Sequence, residues 1–120
     1  MLVTRLIHDC VRETMLYLEK NLSLNDTISS DNIKLKDFSI EDVQYTCAKL
    51  TEAGYIKSQT FIDGSCIITD IAYNGHIFLD NIRDNNIWKE TKSKISKLAS
   101  VSLPVIQQVA AQLINVKLGI

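Results

Sequence analysis

The stretch SIEDVQYTCAKLTEAGYI, residues 39–56, constrains the fold more than any other part of the chain. A serine opens it and an aspartate follows three positions later. A serine hydroxyl there accepts a free N–H from the first turn of a helix, and the carboxylate reaches back to the serine N–H, so Ser39 and Asp42 predict a capped helix start. Ile40, Val43, Cys47 and Leu50 recur at helical spacing and predict one buried stripe. Gly54 follows the last periodic residue, where a chain leaving a helix turns through positive φ at no Cβ cost. Tyr55 and Ile56 then begin a strand. The next segment, Phe61-Ile62-Asp63-Gly64-Ser65-Cys66-Ile67-Ile68, reads as strand, turn, strand, with Asp-Gly as the hairpin signal.

Upstream, Ile7, Cys10, Val11, Thr14, Met15 and Leu18 line one face of a helix expected over residues 4–20, with Arg12, Glu13 and Glu19 off that face. Residues 21–30 are polar and turn-rich and read as a loop. Ile33-Lys34-Leu35 alternates as a short strand, and the pattern leaves open whether a helix lies between residues 20 and 38. Downstream, a helix begins near Tyr73, with Ile77, Phe78, Leu79 and Ile82 on its apolar face. Asn85-Asn86 breaks or bends it, and Trp88, Thr91, Ile95 and Leu98 resume the spacing. A last helix opens at Ser102, with Pro104 in its first turn, where a missing N–H costs little. Its stripe is Leu103, Ile106, Val109, Ala110, Leu113 and Val116. This order predicts a mainly α chain with a small β-hairpin, of α+β class: a winged-helix-like domain over residues 1–83 and a C-terminal helical extension over residues 84–120.

Composition narrows the function classes. The 120 residues are 46% apolar, enough for a core, and no apolar run approaches the roughly 18 residues of a membrane span. The opening MLVTRLIHDC has no continuous apolar core and no small-residue cleavage site, so no secretory signal is expected. Cys10, Cys47 and Cys66 are odd in number and widely spaced. That argues against a disulfide scaffold and a zinc site and for a reducing cytoplasm, with no metal and no cofactor expected. Net charge is −1. Residues 36–83 carry four basic and seven acidic side chains, whereas residues 84–120 carry five and two, so the basic excess lies in the tail.

The segment AYNGHIFLDNIRDNNIWKETKSKI, residues 72–95, resembles the signature of a bacterial and prophage family catalogued as a domain of unknown function, through Tyr73, Gly75, His76, Phe78, Leu79, Ile82, Arg83 and Trp88. Ala53-Gly54-Tyr55-Ile56, the Asp9, Val11, Arg12 step and the closing Lys117-Leu118-Gly119 are similar too. Ala72 departs from the threonine usual at that position, and the stretch before Ser39 is longer than usual. The resemblance covers nearly the whole chain. It implies a winged-helix-like fold and a regulatory or DNA-associated role, and it implies no reaction.

Candidate contacts follow from the polar faces. A major-groove helix needs side chains that meet base edges and phosphates. On the Ser39 helix these are Gln44, Tyr45 and Lys49, beside Glu41, Asp42 and Glu52, which repel phosphate; the plainer reading is a scaffold helix with an ordinary polar face. On the hairpin, Lys57 is the cation nearest a wing contact. Lys89 and Lys92, with Lys94 and Lys97, form the strongest basic footprint or simply a solvated face. Asp80 and Arg83 are spaced to pair. His76 reads as a locally bonded histidine, Trp88 as core, and no acid, base or nucleophile spacing predicts an enzyme. The last helix carries one charge, Lys117. It packs within the chain or serves as the seam of a homodimer or protein partner through Leu103, Ile106, Val109, Ala110, Leu113 and Val116. Double-stranded DNA is the leading expected partner. A protein-binding module on the same fold is the alternative, and no membrane partner is expected.

Overall fold

The structure is a computed structural model and describes residues 5–98 and 101–120. The chain forms two compact units, divided between His76 and Ile77.

In the first unit, helix α1 spans His8–Asn21. It starts later than expected: Ile7 is the N-cap, in extended backbone and exposed, and residues 1–4 lie outside the described residues. Cys10, Val11, Thr14, Met15 and Leu18 are buried as their spacing requires, and Arg12 is buried with them. The chain leaves α1 through Leu22, whose N–H donates to the Leu18 carbonyl, and turns at Asn25 with φ 66°, a left-handed conformation that asparagine tolerates. Strand β1 is Ile28–Ser29, followed by a 3-10 helix at Ser30–Asn32. The strand expected at Ile33-Lys34-Leu35 is therefore displaced. Ser29 accepts the Asp31 N–H with its side chain and ties the backbone into a local turn, so Ile33 becomes the cap of that turn and is buried there.

Helix α2, Ile40–Glu52, starts with the full capping box between Ser39 and Asp42. Val43, Thr46, Cys47 and Leu50 are its buried residues. Ile40 is exposed, against expectation: it lies on the right face but one turn beyond the core's edge. At the other end the Tyr55 N–H donates to the Leu50 carbonyl at 2.9 Å and the Gly54 N–H to the Thr51 carbonyl at 3.1 Å. With Gly54 at φ 79°, these two bonds form a Schellman stop.

Strands β2, Ile56–Thr60, and β3, Cys66–Ile71, form the hairpin. Phe61 and Ile62, expected in the first strand, lie in its turn. The Gly64 N–H bonds the Phe61 carbonyl at 3.0 Å, and the Phe61 N–H bonds the Ser65 carbonyl at 2.9 Å. Gly64 takes φ 92°, and the Asp63 carboxylate accepts both the N–H and the hydroxyl of Ser65. A three-residue loop closed by a left-handed glycine thus turns the chain. The expected two-stranded hairpin is part of a larger sheet: β1 pairs with β3, so three antiparallel strands lie in the order β1-β3-β2.

Helix α3, Tyr73–Ile82, runs from the first unit into the second. Phe78, Leu79 and Ile82 are fully buried. The break before the next helix falls at Arg83-Asp84, just ahead of the asparagine pair. Asp84 caps helix α4, Asn85–Ile95, by accepting the N–H groups of Asn86 and Ile87 at 2.8 and 2.9 Å. Ile87, Trp88, Thr91 and Ile95 are buried on α4, whereas Leu98 follows the end of the helix and is exposed. Helix α5, Leu103–Leu118, has Pro104 in its first turn, ends at Gly119 with φ 78°, and packs on α4. Among the described residues no helix is long and apolar enough to cross a membrane.

Candidate functional site

The capping box and the Schellman stop fix where α2 begins and ends, and the buried Val43, Thr46, Cys47 and Leu50 set which face it turns outward. Gln44, Tyr45 and Lys49 share that face, each half-buried. Gln44 Nε2 donates to Asp31 Oδ1 at 2.8 Å, which ties α2 to the 3-10 helix. A Cβ placed on Gly64 would sit 3.4 Å from Gln44 Oε1, so the tip of the hairpin lies against the same side chain. The outer face of α2 and the hairpin turn therefore form one continuous surface, joined at Gln44.

Electrostatics on this surface are mixed. Lys49 Nζ pairs with Glu52 at 2.9 Å and lies 5.5 Å from the centre of the Tyr45 ring. The hydrogen bond that Lys49 donates to the Glu52 carboxylate, and the negative charge of that carboxylate, hold the Lys49 ammonium above its ordinary pKa. Lys57 is exposed on β2, beside the irregularity at Lys57/Ser58. The first unit carries seven basic and eleven acidic side chains, a net −4; the second carries six and three, a net +3.

Lys89 and Lys92 belong to the second unit. Lys89, Lys94 and Lys97 are exposed, whereas Lys92 is half-buried with its Nζ 6.0 Å from the centre of the Trp88 ring. Arg83 and Asp80 form a pair at 2.9 Å. The stripe on α5 is divided. Leu103, Ile106 and Ala110 are buried within the chain, Val109 and Leu113 are half-buried, and Val116 is 74% exposed. Val105, Val109 and Val116, at i, i+4 and i+11, make a second apolar stripe beside the buried one. Near the end of α5, Lys117 pairs with Glu90 of α4 at 3.6 Å.

The thiols of Cys10, Cys47 and Cys66 are free and fully buried. Thr46 donates its hydroxyl hydrogen to Cys10 Sγ at 3.4 Å. Among the described residues no group of three His, Cys, Asp or Glu side chains is placed to hold a metal ion. His76, expected to bond and pack locally, is exposed. The acid beside Gln44 was not visible to sequence reasoning: Asp31 stands thirteen positions away, and no periodicity links a 3-10 turn to a helix face.

A family described as Hypothetical protein (DUF2513) matches residues 5–102. An uncharacterized protein of Haemophilus influenzae (strain Rd) is 31% identical over 111 residues, which cover 89% of this chain and 92% of that protein. No solved structure matches the chain.

Proposed function

The chain belongs to the DUF2513 family, and from that premise we propose that its first unit is a winged-helix-like domain acting in DNA-linked regulation in the cytoplasm. The observation that carries this reading is the order α1, β1, helical turn, α2, β2, β3 with the sheet order β1-β3-β2. In that order α2 stands as the helix for the major groove and the hairpin as the wing beside it, with the 3-10 turn in place of a longer second helix. Gln44 and Tyr45 then face base edges and backbone, and Lys49 and Lys57 face phosphates.

The carboxylates do not veto this reading, because exposed pairs are weak. Lys49 is half-buried and Glu52 is exposed, and a solvent-screened pair of this kind contributes little. A phosphate supplies at least as strong a partner. Asp31 is the larger obstacle, since it stays beside Gln44 and faces incoming phosphate.

The function is tested by fluorescence anisotropy of the full chain with a labelled random duplex, across a salt series. The expected result is binding at low salt that weakens steeply as salt rises, with a slope that counts released counterions. Lys49→Ala, Lys57→Ala, Lys89→Ala and Lys92→Ala each reduce the slope by about one if that lysine touches phosphate. Asp31→Asn is expected to tighten binding by roughly three- to tenfold, because it removes a repulsive charge and leaves an acceptor for Gln44. Absence of binding at low salt defeats the DNA reading.

Under this reading the protein acts as a dimer. Its seam uses the part of the α5 stripe that the chain leaves open: Val109, Leu113 and Val116, with Val105. Val116→Asp is expected to convert the dimer to a monomer with an unchanged circular dichroism spectrum, read by light scattering after gel filtration. A chain that is monomeric before substitution overturns the seam.

A protein-binding module on the same fold is the second reading. The net −4 of the first unit favours it, because that charge opposes nucleic acid and attracts a basic partner.

A further inference from the structure

A cleft of about 540 Å³ opens in the first unit between the C-terminal end of α1, the loop that follows it, and the end of β3. That volume lies within the range of ligand sites. Its floor is apolar: Leu18 and Ile71 are buried and Leu22 is half-buried. Glu19, Asp26 and Asp70 line it together with His76, and no lysine or arginine does among the described residues. The end of α1 adds the negative pole of the helix dipole to the same region.

The two aspartates are held in place. Asp26 Oδ1 accepts the Thr27 N–H at 2.8 Å, and Asp70 Oδ1 accepts the Ile71 N–H at 2.9 Å. Each uses one oxygen locally and keeps the other. Leu24, 92% exposed, stands on the rim as an apolar shelf.

We propose that this cleft binds a lysine or arginine side chain presented by a partner protein. Such a side chain has an apolar stem and a cationic head, which match the apolar floor and the acidic wall respectively. The same wall repels phosphate, so the occupant is not nucleic acid. The exposed Leu24 favours a protein segment with apolar residues flanking the basic one over a free cation. The site is independent of the DNA-linked reading, which uses the outer face of α2.

The test is an NMR titration of the ¹⁵N-labelled full chain with the peptide acetyl-Leu-Arg-Leu-amide. Parallel titrations use its neutral citrulline isostere and arginine amide alone. The arginine peptide is expected to shift the amides of residues 18–27, 69–71 and 76, and the citrulline peptide to leave them in place. Asp26→Asn combined with Asp70→Asn keeps both local acceptors and is expected to weaken the arginine peptide by roughly three- to tenfold. Glu41→Gln, an acid on the exposed start of α2, is expected to leave it unchanged. Equal binding of the citrulline peptide, equal affinity for arginine amide, shifts centred elsewhere, or no loss in the double variant would each overturn the proposal.

Discussion

Gly75→Ala is expected to destabilise the first unit by about 3 kcal/mol or more, a large share of the stability of a small domain. Gly75 lies in the first turn of α3 with ordinary helical backbone, so its reason is space and not a special φ. A Cβ there would run into the Tyr55 carbonyl oxygen, and would lie 2.8 Å from Ile71 Cγ2 and 3.1 Å from Met15 Cε. The Met15 methyl can swing aside. The Tyr55 carbonyl cannot, because it accepts the Ala72 N–H at 3.0 Å and leads directly into β2. Moving it breaks that bond and disturbs the stop of α2. Urea unfolding followed by circular dichroism measures the loss. Gly54→Ala is the comparison: it has open space but φ 79°, so its cost is backbone strain of about 1–2 kcal/mol. If the two variants unfold at the same urea concentration, close approach is not what requires glycine at Gly75.

The parts of this fold written in the sequence are those held by neighbours in the chain. Ser39 and Asp42 cap each other across three positions, and Gly54 stops α2 within one turn, so both were legible. Asp63-Gly64 marked the hairpin, although the left-handed glycine closes a three-residue loop that draws in Ile62. The two residues of β1 carry no pattern of their own. They are a strand because Ile28 meets Ile68 and Ser29 meets Ile67, a register set by residues 40 and 38 positions away. Arg12 shows the same limit from the other side: its charge marks it for solvent, yet α1 buries it at 7% exposure. The candidate surface was less legible than the fold. Gln44 and Lys49 were visible as polar residues on an outer face, but their chemistry depends on Asp31 and Glu52. Of these only Glu52 lies within helical reach of its partner.

The buried thiols lead to the second large effect, a loss of stability at alkaline pH. Cys47 is fully buried, and burial first, then the neighbouring Cys66 and Cys10, push its thiol up from 9.0 to about 12. Burial raises Cys10 and Tyr55 in the same direction. A raised acid has no effect on stability below its unfolded value, because both states then hold the proton. Between pH 9.0 and about 12 the unfolded chain loses the Cys47 proton while the folded chain keeps it. The folded state then binds more protons, so stability falls as pH rises. For Cys47 alone the loss approaches a figure on the order of 4 kcal/mol at the upper end of that window. Urea midpoints measured under reductant are therefore expected to change little between pH 7 and 9 from this source and to drop steeply above. Cys47→Ala removes the ionisable group and leaves a small void. It is expected to start lower and to decline less across the same window. A Cys47→Ala chain that loses stability as steeply as the parent would place the alkaline transition elsewhere, and the Cys10 thiol, which burial also raises, would be the next to replace.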